Sequence, residues 1–182
     1  MRVINNKLVK YFSMSLSILT SMMTRVRGRV EARHSQLALP DVDLTGSVAV
    51  VTGSDTMTGQ HTVRGLAERG AWVIMASTNL EQAEAAAEDI SDQNIRVIKC
   101  DLSSFASVRK FCRQVVEEEE KVDILINYAE SLSTERVLTE DGQETMFQVN
   151  HLSLFLLTNL LMDKLKASEA ARIINVSSVA HW

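Results

Sequence analysis

Short apolar runs alternate with amphipathic stretches along the chain from residue 47 onward. The apolar runs read SVAVVTG, AWVIMAS, IRVIKCD, VDILIN and RIINVSS, and helical spacing follows each of the first four. Buried strands joined by helices form a parallel sheet with helices on both of its faces. The pattern therefore predicts an α/β fold, a doubly wound, Rossmann-like parallel sheet with five predicted strands.

The last predicted helix, residues 141–166, is apolar nearly all round. Its apolar side chains are Phe147, Val149, Leu152, Leu154, Phe155, Leu156, Leu157, Leu160, Leu161, Met162 and Leu165. A helix without a polar side needs cover on both sides. We expect the sheet to cover one side and a second subunit to cover the other, which predicts a homodimer through the helix at 141–166.

Residues 1–30 are basic and follow a different pattern. Their apolar side chains form one helical stripe, at Leu8, Phe12, Leu16, Leu19 and Met23. No acidic residue precedes Glu31, and the stretch is too short and too rich in serine to cross a bilayer. A basic amphipathic helix of this kind is typical of a mitochondrial presequence or a membrane-surface anchor. The alternative is a leader without a targeting role.

The contrast between the two parts predicts the domain boundaries. Residues 31–45, which contain Pro40, are predicted to be a linker, and residues 46–182 a Rossmann-like domain. The leader predicts an intracellular protein that associates with a membrane surface, at the mitochondrion or the endoplasmic reticulum.

Composition narrows the classes of protein. A chain of 182 residues with 46% hydrophobic residues can bury a sizeable core. The net charge is -4, and all the acidic residues follow the leader, which argues against a nucleic-acid surface. Cys100 and Cys112 lack the spacing of a metal or redox motif and are predicted to be buried, reduced thiols. The four histidines also lack metal-ligand spacing, so no metal site is predicted.

Candidate chemistry begins where the first strand ends. The stretch VTGSDTMTGQ joins that strand to the first helix, where backbone N–H groups and the helix N-terminus can bind a pyrophosphate. It is followed, in order, by KCDLSS, ILINYAE, TEDGQETMFQVNHLSLFLLTNLL and RIINVSS. This ordered set, over residues 43–182, resembles the short-chain dehydrogenase/reductase superfamily and its retinol-dehydrogenase-like branch.

The resemblance implies a set of cofactor-binding residues for NADP or NAD. They are Gly53, Ser54, Asp55, Met57, Gly59, Thr78, Asp101, Leu102, Asn127 and Ala129. Gly53 would make the tight turn and Gly59 would allow close packing of helix and strand. Asp101 and Leu102 would border the adenine ring, and Asn127 would lie beside the ribose.

The resemblance also implies an activity, hydride transfer between the nicotinamide ring and a lipophilic alcohol or aldehyde such as a retinoid. Two residues would be catalytic: Asn150 would hold the water of a proton relay, and Ser178 would hydrogen-bond the substrate oxygen. In the family a tyrosine with a lysine four residues later supplies the proton. The only tyrosines are Tyr11 and Tyr128, and neither is followed by lysine at that spacing.

The missing motif suggests a family member truncated at its C-terminal side, whose dinucleotide-binding domain at 46–182 is partial. Loss of positioned proton transfer predicts activity lower by about 10²- to 10⁴-fold. The alternative is a non-catalytic Rossmann-fold pseudoenzyme or interaction protein.

Several residues at the expected cofactor site depart from the family pattern. Met57 replaces the middle glycine of the loop, where its side chain would have to turn away or block the phosphates. Asp55 would repel a pyrophosphate or, alternatively, cap the first helix. Glu130 replaces the glycine of the fourth-strand motif, which adds bulk and charge.

The residues that would select between the two cofactors are neutral. The stretch Ser77-Thr78-Asn79 follows the second strand where NADP-preferring relatives carry arginine, and Gln60 occupies a position that is often basic. No acidic residue follows the strand to select NAD. The sequence therefore leaves the choice between NAD and NADP open.

Overall fold

The computed structural model describes residues 42–90 and 94–177. The predicted leader and most of the predicted linker lie outside these ranges. A compact unit begins at Val42, and the end of the predicted linker packs on it, since the Leu44 N–H donates to the Arg69 carbonyl over 2.8 Å. Within the described ranges, no helix is long and apolar enough to cross a bilayer.

Five parallel strands form the central sheet. They are β1 (Val48–Thr52), β2 (Trp72–Ser77), β3 (Ile95–Lys99), β4 (Ile124–Asn127) and β5 (Arg172–Asn175). Their order across the sheet is β3-β2-β1-β4-β5, and each neighbouring pair is parallel. The predicted doubly wound, Rossmann-like sheet of five strands is confirmed.

Helices pack on both faces of the sheet because the strands are apolar on both sides. The first three are α1 (Met57–Ala67), α2 (Leu80–Ile90) and α3 (Phe105–Glu118). One core lies between the sheet, α1 and α2, and includes Val51, Val63 and Ala83. The other lies against α3 and the later helices, and includes Phe111 and Leu157.

The region predicted as one helix, residues 141–166, is divided into several segments. They are α4 (Thr145–Phe147), a π-helical turn (Gln148–Leu152), α5 (Ser153–Leu160) and α6 (Met162–Lys166). The helix begins later than predicted because Asp141 accepts hydrogen bonds from Phe105 N–H over 2.8 Å and Gln148 Nε2 over 2.7 Å. These bonds hold the residues before α4 in a turn against α3.

The outer side of this region is open within the described residues. Phe147 and Phe155 are more than half exposed, and the Phe147 ring stacks on His151 with centroids 5.5 Å apart. The inner side is closed, since Leu157, Leu161 and Leu165 are buried. The sheet therefore covers one side as predicted, and the homodimer stays a prediction.

β5 pairs with β4, and all four of its residues are exposed.

Asp123, directly before β4, joins three segments at the amino ends of the strands. Its carboxylate accepts hydrogen bonds from the Val48 N–H over 2.8 Å, Ser168 Oγ over 2.6 Å and Lys121 Nζ over 3.0 Å. Burial raises the pKa of Asp123, but these hydrogen bonds and the charge of Lys121 outweigh burial and lower the pKa. The carboxylate form is therefore the one that stabilises the fold.

Candidate functional site

A cleft of about 150 Å³ lies at the carboxyl ends of the strands. The strand order reverses beside it, because β2 lies on one side of β1 and β4 on the other. Ligands of open α/β sheets bind at this kind of switch point. Of the residues predicted to bind a cofactor, the lining includes Gly53, Asp55, Thr78, Asp101, Leu102 and Ala129.

Two glycines let α1 begin directly above the end of β1. Gly53 has a φ of +66°, and a Cβ there would lie 2.8 Å from the Ala129 Cα. A Cβ on Gly59 would lie 2.1 Å from the Gly53 carbonyl oxygen, well inside contact distance. Both positions therefore require glycine for backbone packing, and Gly59 stands behind the cleft instead of lining it.

Thr56 caps α1, so the alternative prediction that Asp55 is the cap is wrong. The Thr56 hydroxyl accepts a hydrogen bond from the Gly59 N–H over 3.1 Å. Thr56 directly precedes the first helical residue and has extended backbone angles, which is the geometry of an N-cap. The Asp55 carboxylate is directed elsewhere and accepts a hydrogen bond from Ser77 Oγ over 2.7 Å.

Met57 turns away from the cleft. It is 77% exposed and does not contribute to the lining. The bulky side chain therefore points out of the cleft, the first of the two outcomes considered for this substitution. As expected for the first turn of a helix, no acceptor among the described residues binds the N–H groups of Met57 and Thr58.

Thr52 organises the floor of the cleft, and the sequence interpretation missed it. It is 1% exposed, and its Oγ1 accepts hydrogen bonds from the N–H groups of Tyr128 over 3.0 Å and Ala129 over 3.1 Å. The signal was a hydroxyl residue at the end of an otherwise apolar strand. Five further lining residues were also missed, namely Thr56, Ala76, Cys100, Ser103 and Val149.

The loop after β3 forms a side wall of the cleft. Asp101 Oδ1 accepts hydrogen bonds from the N–H of Ser103 over 2.8 Å and from its hydroxyl over 2.6 Å. Leu102 is 6% exposed, and its carbonyl accepts a hydrogen bond from Ser153 Oγ on α5.

Burial raises the pKa of Cys100 to about 12, and the neighbouring Cys112 and Asp101 add to this rise. Both cysteines are free and buried, as predicted.

Asn127 and Ser54 face the interior and do not line the cleft. Asn127 Nδ2 donates to Asn175 Oδ1 over 2.8 Å and to Thr158 Oγ1 over 3.3 Å, which ties β4 to β5 and α5. Ser54 is fully buried, and its hydroxyl donates to the Ala76 carbonyl. The predicted place of Asn127 beside a ribose stays a prediction.

Asn150 lies in the π-helical turn. Its Oδ1 accepts from the Ser131 N–H over 2.7 Å, and its Nδ2 donates to the Ser131 carbonyl over 2.9 Å. This pair of bonds fixes the loop after β4, and π-helical turns are frequent at functional sites. The predicted catalytic Ser178 lies outside the described residues.

A family model described as short chain dehydrogenase matches residues 47–181. This chain belongs to the short-chain dehydrogenase family. Retinol dehydrogenase 13 of Mus musculus is 48% identical over 142 residues, which are 76% of this chain and 42% of that protein. Retinol dehydrogenase 12 of Homo sapiens is 44% identical over 145 residues, which are 78% of this chain and 46% of that protein. The resemblance to the retinol-dehydrogenase-like branch is confirmed. The chain spans less than half the length of these relatives.

Two solved structures of this dehydrogenase fold are similar to the chain. The Pseudomonas aeruginosa RhlG/NADP active-site complex has a TM-score of 0.67 and 32% identity, and covers 78% of this chain and 58% of that one. A metagenomic short-chain oxidoreductase in complex with NADP has a TM-score of 0.68 and 27% identity, and the match covers 76% of this chain and 64% of that one. Both are complexes with NADP.

Proposed function

We propose that this chain forms the nucleotide-binding part of an NAD(P)-dependent oxidoreductase of retinol-dehydrogenase type. Its substrate would be a lipophilic alcohol or aldehyde, a class suggested by the names of the similar proteins. The observation that carries the proposal is the cleft at the switch point of the sheet. The NADP named for both similar structures supports a dinucleotide as its ligand.

The N-terminus of α1 is the proposed diphosphate site. Gly53 and Gly59 seat this helix against the end of β1, and the N–H groups of Met57 and Thr58 have no acceptor in the described part of the chain. Free amides and the positive end of a helix dipole favour a phosphate at this place. The wall formed by Asp101 and Leu102 would border the adenine ring.

A bound nicotinamide cofactor would supply hydride transfer. The residues of this chain would position the reacting groups. Asn150 fixes the loop after β4 through Ser131, and Ser178 would donate a hydrogen bond to the substrate oxygen. No tyrosine in these 182 residues is followed by lysine four positions later. We propose that these 182 residues bind the dinucleotide.

Replacing Met57 by proline tests the diphosphate site. Proline is tolerated at the first position of a helix and removes only the N–H group, and Thr56 before it has a ψ of 158°, which proline accepts. Met57→Pro is expected to weaken dinucleotide binding about 10-fold, the size of one lost charge-assisted hydrogen bond. Met57→Ala keeps the amide and is the matched control.

The measurement is a titration of the 182-residue chain with NADH and NADPH, followed by nicotinamide fluorescence. Binding in the wild type and in Met57→Ala, weakened in Met57→Pro, supports the proposal. Absence of binding by both dinucleotides at millimolar concentration would refute it. In that case the alternative, a pseudoenzyme or interaction protein without a bound cofactor, replaces the enzyme.

The exposed rings of Phe147 and Phe155 favour a second role for the region 141–166. We propose that this outer side forms the homodimer contact, since two large aromatic side chains are exposed there. Phe155→Asp is expected to convert a dimer into a monomer in sedimentation velocity experiments. A wild-type chain that is monomeric at all accessible concentrations would contradict the dimer.

The leader at residues 1–30 is proposed to hold the protein at a membrane surface. Membrane fractionation with and without these residues tests this role, and a full-length chain found entirely in the soluble fraction would contradict it.

A further inference from the structure

We infer that Asp55 makes this chain selective for NAD(H) over NADP(H). The inference rests on the proposed function, since it concerns which dinucleotide the same cleft binds. Selection between these cofactors usually depends on an acidic residue at the end of β2, which hydrogen-bonds the 2′-hydroxyl of the adenosine ribose. The residues that follow β2 here, Thr78 and Asn79, are neutral.

The fold brings a carboxylate to this place from a different loop. Asp55 lies between β1 and α1, and its Oδ2 accepts a hydrogen bond from the hydroxyl of Ser77, the last residue of β2, over 2.7 Å. The Ser77 hydroxyl also lies 3.1 Å from the Asn79 carbonyl oxygen and N–H nitrogen, so the serine itself is fixed. The carboxylate of Asp55 therefore lies where a ribose-binding acid is expected.

The Asp55 backbone is held as firmly as its side chain. Its carbonyl accepts hydrogen bonds from Gln60 Nε2 over 3.1 Å and from Gln82 Nε2 over 3.4 Å. These bonds join the loop after β1 to α1 and α2. No donor among the described residues reaches the second carboxylate oxygen, Oδ1, so it is available to accept a hydrogen bond from a ribose hydroxyl.

The negative charge of the cleft also favours NAD(H) over NADP(H). Its described lining contains three acidic residues, Asp55, Asp101 and Glu130, and no lysine or arginine. Glu81 adds another acid in the first turn of α2, which begins close after β2. A 2′-phosphate brings nearly two further negative charges to this region, whereas a 2′-hydroxyl brings a hydrogen-bond donor. Repulsion and the lack of a cationic partner therefore disfavour NADP(H).

Lys99 is the cation that the sheet register pairs with Ser77. The two residues are paired across β2 and β3, and Lys99 is exposed. It does not line the cleft, so it is not placed to bind a 2′-phosphate there. Lys99→Ala is therefore expected to leave the affinity for both dinucleotides unchanged.

Titration of the full 182-residue chain with NADH and NADPH tests the inference. The wild type is expected to bind NADH at least about 10-fold more tightly than NADPH. This affinity ratio is the usual effect of one unfavourable charge contact in a partly exposed site. Asp55→Asn keeps the shape and the bond to Ser77 and removes the charge. It is expected to tighten NADPH binding about 10-fold while changing NADH binding little.

Asp89→Asn is the matched control, because it removes the same charge from a residue of α2 that does not line the cleft. Equal or tighter binding of NADPH by the wild type would overturn the inference, as would an Asp55→Asn variant with an unchanged preference. These outcomes leave the proposed function intact. If neither dinucleotide binds, both the proposed function and the inference are refuted. The preference of the wild type for NADH or NADPH can be measured even if the variants fail to fold.

Discussion

At the scale of single residues, a few polar side chains hold the loops that surround the cleft. Thr52 joins the end of β1 to the backbone after β4, Asn150 holds Ser131, and Asp55 binds Ser77. Each of these bonds is made between different loops or elements. The site therefore depends on side chains that act as links, in addition to the residues that would touch a ligand.

Thr52→Val is expected to destabilise the protein. Valine has the same shape, but it leaves the partly buried N–H groups of Tyr128 and Ala129 without their acceptor. The expected loss in the free energy of unfolding is about 1–3 kcal/mol, the cost of unsatisfied buried donors. Urea denaturation followed by circular dichroism measures it. Thr52→Ser keeps the hydroxyl and should lose less; equal stability of Thr52→Val and wild type would contradict the role of the hydroxyl.

Asp123 predicts how stability depends on pH. Burial raises its pKa, but the hydrogen bonds from Ser168, the Val48 N–H and Lys121 lower it below the ordinary value of 3.8. A lowered pKa means that the carboxylate stabilises the folded state above the unfolded pKa, and that this stability is lost as the pH falls through the folded pKa. Protonation below pH 4 should therefore weaken the fold.

Asp123→Asn is expected to lower the free energy of unfolding at pH 7 by about 1–3 kcal/mol, because a charged acceptor of three bonds becomes neutral. The variant should also show a shallower loss of stability than the wild type as the pH falls below 4. Asp163→Asn, on the exposed side of α6, is the control. Identical acid dependence of Asp123→Asn and wild type would count against this assignment.

At the scale of the elements, the contact between α1 and the loop after β1 is the closest in the site. It depends on Gly59, whose position leaves no space for a side chain beside the Gly53 carbonyl. The apolar spacing of residues 141–166 predicted a helix that starts at residue 141, and the structure starts it at Thr145 because Asp141 binds α3 and Gln148. Apolar periodicity reports which side of a helix is buried and carries no information about such long-range hydrogen bonds.

Gly59→Ala is expected to destabilise the protein by about 1–3 kcal/mol or more, because the added methyl group would force α1 away from the loop. Gly65→Ala, in the same helix, is the matched control. A Cβ there would be 3.7 Å from its nearest neighbour, the end of the Arg69 side chain. Gly65→Ala should therefore stabilise α1 by about 0.5–1 kcal/mol. Thermal unfolding of both variants measures the contrast, and similar effects of the two would argue against close packing at Gly59.

At the scale of the whole molecule, helices pack on both faces of the sheet, and both cysteines are buried in one of the two cores. Burial raises the pKa of Cys100 and of Cys112 to about 12, from an ordinary value of 9.0, although Arg109 opposes the rise at Cys112. Thiolates react with disulfide reagents and thiols scarcely do. The folded core should therefore protect both side chains.

Labelling with Ellman's reagent at pH 8 is expected to be at least about 100-fold slower for the folded chain than in urea. Because the unfolded thiols ionise near pH 9 and the folded thiols near pH 12, stability should fall as the pH rises through this interval. The double variant Cys100→Ser, Cys112→Ala removes both thiols and should flatten that part of the pH dependence. Rapid labelling of the native chain would contradict the burial.

The sequence by itself determined the five strands, the helices on both faces, the glycines of the turn and the burial of the thiols. These features depend on local spacing and on residue size, which a linear pattern records. Only the tertiary structure decided which polar side chains meet. Asp55 and Ser77 are 22 residues apart and come together because parallel pairing of β1 and β2 aligns the carboxyl ends of both strands. Parallel pairing predicts that such ends share an edge, but the direction of each side chain depends on the packed backbone, as Asn127 shows by turning to β5.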